Sequence, residues 1–81
     1  MNERAFPGYD TWSLAKMNGD HALAFIAVQD QYEGSTPSFH LVYGLSCFGV
    51  MSQAFAAAEK ALAKITRINR HGEPVFSSPD C

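Results

Sequence analysis

The chain has 81 residues, 47% of them hydrophobic, with six basic and eight acidic side chains and a formal net charge of −2. That apolar content excludes intrinsic disorder, and the length predicts a single domain over residues 1–81 with a small core. The charge is too mild for a DNA mimic and of the wrong sign for a general nucleic-acid binder.

Met1-Asn2-Glu3-Arg4 lacks the apolar core of a signal peptide, and the longest apolar run, Ala22 to Val28, is too short to span a bilayer. Cys47 and Cys81 make no disulfide framework and read as free thiols of a reducing, cytoplasmic compartment. Residues 1–11 carry Pro7 and Gly8 and read as an irregular lead-in. A strand then runs from Trp12 to Met17 and meets Asn18-Gly19, a pair that tolerates the positive φ of a type I′ hairpin turn. A two-residue turn there sets Met17 against Asp20, Leu14 against Leu23 and Trp12 against Phe25, which stacks four large apolar residues on one face. The second strand, His21 to Gln29, is apolar on both sides: Leu23 and Phe25 share the first face, and Ala22, Ala24, Ile26 and Val28 the other.

A polar, turn-rich loop over 30–38 follows. The third strand, Phe39 to Cys47, alternates: Phe39, Leu41, Tyr43, Leu45 and Cys47 on one side, His40, Val42, Gly44 and Ser46 on the other. From Met51 to Arg70 the large apolar residues Met51, Phe55, Leu62, Ile65 and Ile68, with Ala58, fall on one helical stripe. Ser52 is the expected N-cap, and Arg70, His71, Gly72 and Pro74 give the expected stop. Val75-Phe76 offers a fourth strand, and residues 77–81 read as a tail. The expected fold is α+β, one antiparallel sheet under one C-terminal helix in the order β-β-β-α, with the last β optional. The helix is expected over the Leu41 and Tyr43 face, which leaves Ile26, Val28 and Val42 on an open apolar surface. Cover of that surface by the lead-in, through Phe6 and Tyr9, is the competing arrangement.

Catalytic signals are weak. His21, His40 and His71 have no second ligand at metal spacing, Cys47 continues the core-facing alternation, and Asp10, Asp20 and Asp30 are spread over turns. No metal, cofactor or enzymatic activity is expected. The aromatics fall on the expected core face, which argues against the exposed-aromatic mode of RNA recognition, so no direct nucleic-acid contact is expected either. Lys60, Lys64 and Arg67 give the helix a basic side. The expected contact residues are therefore Ile26, Val28, His40, Val42, Lys60, Lys64 and Arg67. They would meet a protein or ribonucleoprotein partner, or a second copy of this chain.

Two resemblances extend this reading. Leu45-Ser46-Cys47-Phe48-Gly49 leading into Ala56-Ala57-Ala58-Glu59-Lys60-Ala61-Leu62 resembles the strand-to-helix passage of HicB-type antitoxins, which implies a regulatory role against a toxin partner. The whole layout, a short acidic chain with a small sheet and one Ala-rich helix, resembles phage-encoded inhibitors of the anti-CRISPR kind. That resemblance implies a non-enzymatic protein that blocks a host complex, with a CRISPR effector as the specific case.

Overall fold

The computed structural model describes residues 3–32, 34–44 and 48–77. Its elements in order are β1 (Glu3–Phe6), β2 (Tyr9–Asn18), β3 (His21–Asp30), β4 (Ser38–Val42), α1 (Met51–Ala63), β5 (Ile65–Ile68) and β6 (Pro74–Phe76). The first four form one antiparallel sheet in the order β1-β2-β3-β4, and β5 and β6 form a separate two-stranded sheet. The α+β class read from sequence is thus the observed one. Three of its details change.

The lead-in is a strand. Pro7 presets φ at the second position of a tight turn and Gly8 takes φ 85° at the third, so Phe6 returns opposite Tyr9 and β1 pairs with β2. The next hairpin turns at Gly19-Asp20, one residue later than expected, with Asn18 opposite His21. Gly19 has φ 69° and Asp20 does not share the positive sign, the pattern of a type II′ turn that needs glycine at its first position. The pairing therefore slides by two residues: Leu14 meets Phe25, and Trp12 meets Ala27. A slide of two conserves the faces, so Trp12, Leu14, Leu23 and Phe25 still share one side. His21 Nδ1 lies 3.2 Å from Asp20 Oδ1 in this exposed turn, and that hydrogen bond holds the Asp20 carboxyl below its ordinary range.

The helix is shorter than the stripe suggests. It starts after Val50, an extended residue that makes no side-chain cap, so Ser52 is not the N-cap. It ends at Ala63, and Ile65-Thr66-Arg67-Ile68 leaves as β5. Two β-branched isoleucines and a threonine in four residues favour a strand once a partner is available, and β6 supplies it. The expected helix stop is instead the β5–β6 turn. Asn69 Oδ1 accepts the backbone N–H of His71 at 2.9 Å and of Glu73 at 3.0 Å, while Gly72 takes φ 77°.

Arg4 ties the two sheets and the helix together. Its Nη1 donates to the Leu62 carbonyl at 2.7 Å and the Ile65 carbonyl at 2.9 Å, 58 and 61 residues away. Those carbonyls lie at the helix C-terminal end and just past it, where a cation also opposes the negative pole of the helix dipole. The guanidinium sits 4.8 Å from the centre of the Phe6 ring as well.

The core lies between α1 and one face of the sheet. Ala54, Ala58, Ala61 and Leu62 of α1 are buried against Ala22, Ala24, Ile26 and Val28 of β3 and Val42 of β4. Of the expected stripe Ala58, Leu62 and Ile65 are buried, Phe55 and Ile68 are half-buried and Met51 remains 42% exposed, so the stripe is buried only in part and Ala54 and Ala61 complete the buried face. Phe6, Tyr9, Ile68 and Phe76 pack around the rim of this core, which makes the lead-in a partial cover for the same face, as the competing arrangement proposed.

Two stability outcomes follow. Leu62→Ala removes a fully buried side chain and is expected to cost about 2–5 kcal/mol. Arg4→Ala removes two charge-assisted hydrogen bonds at the helix end and should cost about 1–3 kcal/mol, with Arg4→Lys intermediate. Urea melts of the variants measure both; a loss below about 0.5 kcal/mol for Arg4→Ala would mean water replaces the guanidinium without penalty.

Candidate contact surfaces

The face of the sheet turned away from α1 carries the large side chains. Register fixes two adjacent rows across three strands: Trp12, Ala27 and Phe39 in one, Leu14, Phe25 and Leu41 in the next. Phe39 and Leu41 are each 50% exposed. Ala27 is fully buried even though it points outward, because Trp12 and Phe39 flank it on the neighbouring strands. Along β2 the row before Trp12 holds Asp10 and the row after Leu14 holds Lys16. Glu3 of β1, opposite Trp12, adds a second carboxylate near the Asp10 end. The Lys16 ammonium reaches across to lie 5.1 Å from the centre of the Phe39 ring, partly shielding an aromatic that no backbone element among the described residues covers.

This is the reverse of the expected surface. Ile26, Val28 and Val42 are 0–2% exposed beneath α1, so in this fold they form the core rather than a contact face. The physical reason is residue size. The face of β3 that carries Ala22 and Ala24 lets an alanine-lined helix approach closely, whereas Leu23 and Phe25 on the other face would hold it away. The aromatic argument against RNA contact falls with the face assignment. The electrostatic one does not: the outer face offers one lysine against two carboxylates, a poor match to a phosphate backbone. Sequence alone places Trp12, Leu14, Phe25, Phe39 and Leu41 in the core. The signal that separates the faces was the contrast of small against large residues along His21–Gln29.

His40 lies on the α1 side of β4, half-buried, with Nε2 3.0 Å from Ser38 Oγ. Lys60 on α1 and Lys64, the C-cap residue that follows it, come together and line a groove of about 550 Å³ with Tyr43, Phe48, Gln53 and Ala57. Tyr43, the residue after β4, takes φ 52°, in the left-handed region, and its ring centre lies 5.9 Å from the Lys64 ammonium. Arg67 is not with them; it is exposed on β5. The basic side read from a continuous helix therefore divides between two elements.

Among the described residues no three His, Cys, Asp or Glu side chains converge as a metal site, and no helix is long and apolar enough to cross a membrane. The Cys47 thiol, the strand extension over Leu45–Cys47 and the tail residues 78–81 lie outside the described residues. Comparison with protein-family models, with curated proteins and with solved structures finds no match for this chain. The reading of function therefore rests on surface chemistry.

The two faces of β4 give a direct check. Leu41→Glu places a carboxylate on the open face and should leave stability within about 0.5 kcal/mol of the parent. Val42→Glu, one residue on, buries an unpaired charge under α1 and should unfold the domain. Circular dichroism with thermal melts reads both, and equal tolerance would reverse the assignment of the faces.

Proposed function

We propose that this chain is a non-catalytic interaction protein that binds and blocks a larger protein or ribonucleoprotein, with the outer sheet face as its contact surface. The observation that supports this reading is the pair of apolar rows, Trp12-Ala27-Phe39 and Leu14-Phe25-Leu41, on a face no element covers among the described residues. A contiguous apolar surface of this kind marks an interaction site more often than a neutral one. Aromatic side chains held rigidly on a sheet bind at low entropic cost, since their positions are fixed before the partner arrives. The groove at Lys60 and Lys64 is a second, basic contact for the same partner. The proposed setting is the cytoplasm of a host cell carrying a phage or mobile element, and the anti-CRISPR resemblance makes a CRISPR effector the first purified partner to test.

The test is affinity capture from the native host with the parent chain, with Leu41→Glu and with the double variant Lys60→Glu/Lys64→Glu. Leu41→Glu is expected to weaken capture by about 2 kcal/mol or more, roughly thirtyfold, while remaining folded. Unchanged capture by Leu41→Glu together with loss in the lysine double variant would move the contact surface to the groove.

A further inference from the structure

We infer that the outer sheet face is built to receive a second copy of this chain, stacked face to face with its strands antiparallel. The inference deepens the proposed function and rests on its reading of the outer face as a contact surface. Three features of that face are self-complementary, and each would be a coincidence for an unrelated partner.

The first is shape. The two rows have opposite profiles at their centre: Ala27 is a dip between Trp12 and Phe39, and Phe25 is a projection between Leu14 and Leu41. A two-fold axis between the sheets, running across the strands midway between these rows, maps each row onto the other. Phe25 of one copy then enters the dip at Ala27 of the second copy, Trp12 meets Leu14, and Phe39 meets Leu41. An isologous interface requires this reciprocity.

The second is charge. Asp10 stands one row outside Trp12 and Lys16 one row outside Leu14, on the same strand and at equal distance from that axis. The same rotation brings Lys16 over Asp10 of the second copy at both ends of the interface. Asp10 is already oriented, since Gln31 Nε2 donates to its Oδ1 at 2.9 Å and the other oxygen remains for the ammonium. In the isolated chain Lys16 instead rests over its own Phe39, so association exchanges a cation–π contact for an ion pair at the interface rim.

The third is the position of the apolar side chains relative to the charges. The apolar rows fill the centre across β2, β3 and β4, with Asp10 and Lys16 beyond their two ends and Glu3 beside Trp12 on the edge strand β1, the distribution of a docking patch with a polar rim. Two sheets stacked this way sit about 10 Å apart and bury both inner faces, giving four layers with α1 on each outside. The contact is two apolar rows across three strands, so the dimer is a weak, concentration-dependent one that a larger partner displaces from the same surface.

Sedimentation velocity of the full chain over a concentration series tests this, with circular dichroism to verify folding of each variant. The parent should show a monomer–dimer equilibrium. Lys16→Asp should weaken it about tenfold or more, as should Asp10→Lys. The exchange variant Lys16→Asp/Asp10→Lys should restore it, which a loss of packing alone would not do. Leu41→Glu should be monomeric. A parent that stays monomeric at every concentration overturns the inference, and so does a dimer that ignores Lys16→Asp and Leu41→Glu or an exchange variant that fails to recover. If the parent is monomeric while Leu41→Glu still loses host capture, self-association fails and the proposed function stands. A dimer that behaves as described, with capture unaffected by Leu41→Glu, separates the two in the other direction.

Discussion

The close contact between alanines of α1 and alanines of β3 decides most of what this molecule presents to solvent. Ala54, Ala58 and Ala61 lie fully buried with Ala22 and Ala24 in one cluster, leaving Ile26, Val42 and Leu62 to fill the space that remains. Small residues on both partners allow the helix to approach the sheet closely and make dispersion contacts along its length. Once the helix occupies the small face of β3, the large face has no element of the described chain left to cover it. The exposed aromatic surface is thus a consequence of how the core is packed.

A helix held mainly by alanines buries little area, so its ends matter. Arg4 compensates at the C-terminal end by donating to the Leu62 and Ile65 carbonyls, and the Lys64 N–H donates to the Ala61 and Leu62 carbonyls. The chain then passes directly into β5, and Ser77 returns to donate to the Lys64 carbonyl at 2.8 Å. Backbone groups that a longer helix would have satisfied internally are satisfied here by β1 and by the residue after β6. This arrangement allows Ile65 to stay in the core while Thr66 and Arg67 face outward.

The outer face combines exposed aromatics with sparse charge. A stacking surface for nucleic acid needs aromatics and many cations together; here Lys16 is set against Glu3 and Asp10. The balance instead suits a protein surface, and the reciprocal placement of Lys16 and Asp10 about the two apolar rows suits this same surface on another copy. The groove beside Lys60 and Lys64 is electrostatically distinct and lies along α1, so the two surfaces can be altered independently.

Local patterns in the sequence determined the α+β class, the first and second strands read from it (within β2 and β3) with the faces of each, the first thirteen residues of the helix and the absence of any spaced metal or catalytic motif. Period-2 and period-3.6 alternation are properties of neighbouring residues, so they survive without knowledge of the fold. The type of the Gly19 turn was not legible, but the two-residue slide in pairing that it causes left the faces intact. Tertiary structure alone decided where the helix stops, because Ile65–Ile68 suits helix or strand until β6 is beside it. It alone decided that Glu3–Phe6 is a strand, since four residues pair only when β2 is present. Above all it decided which side of a doubly apolar sheet meets the helix. Alternation marks two faces but assigns neither to the core; that choice belongs to the fit of Ala54, Ala58 and Ala61 against Ala22 and Ala24, residues some thirty or more positions apart that only folding brings together.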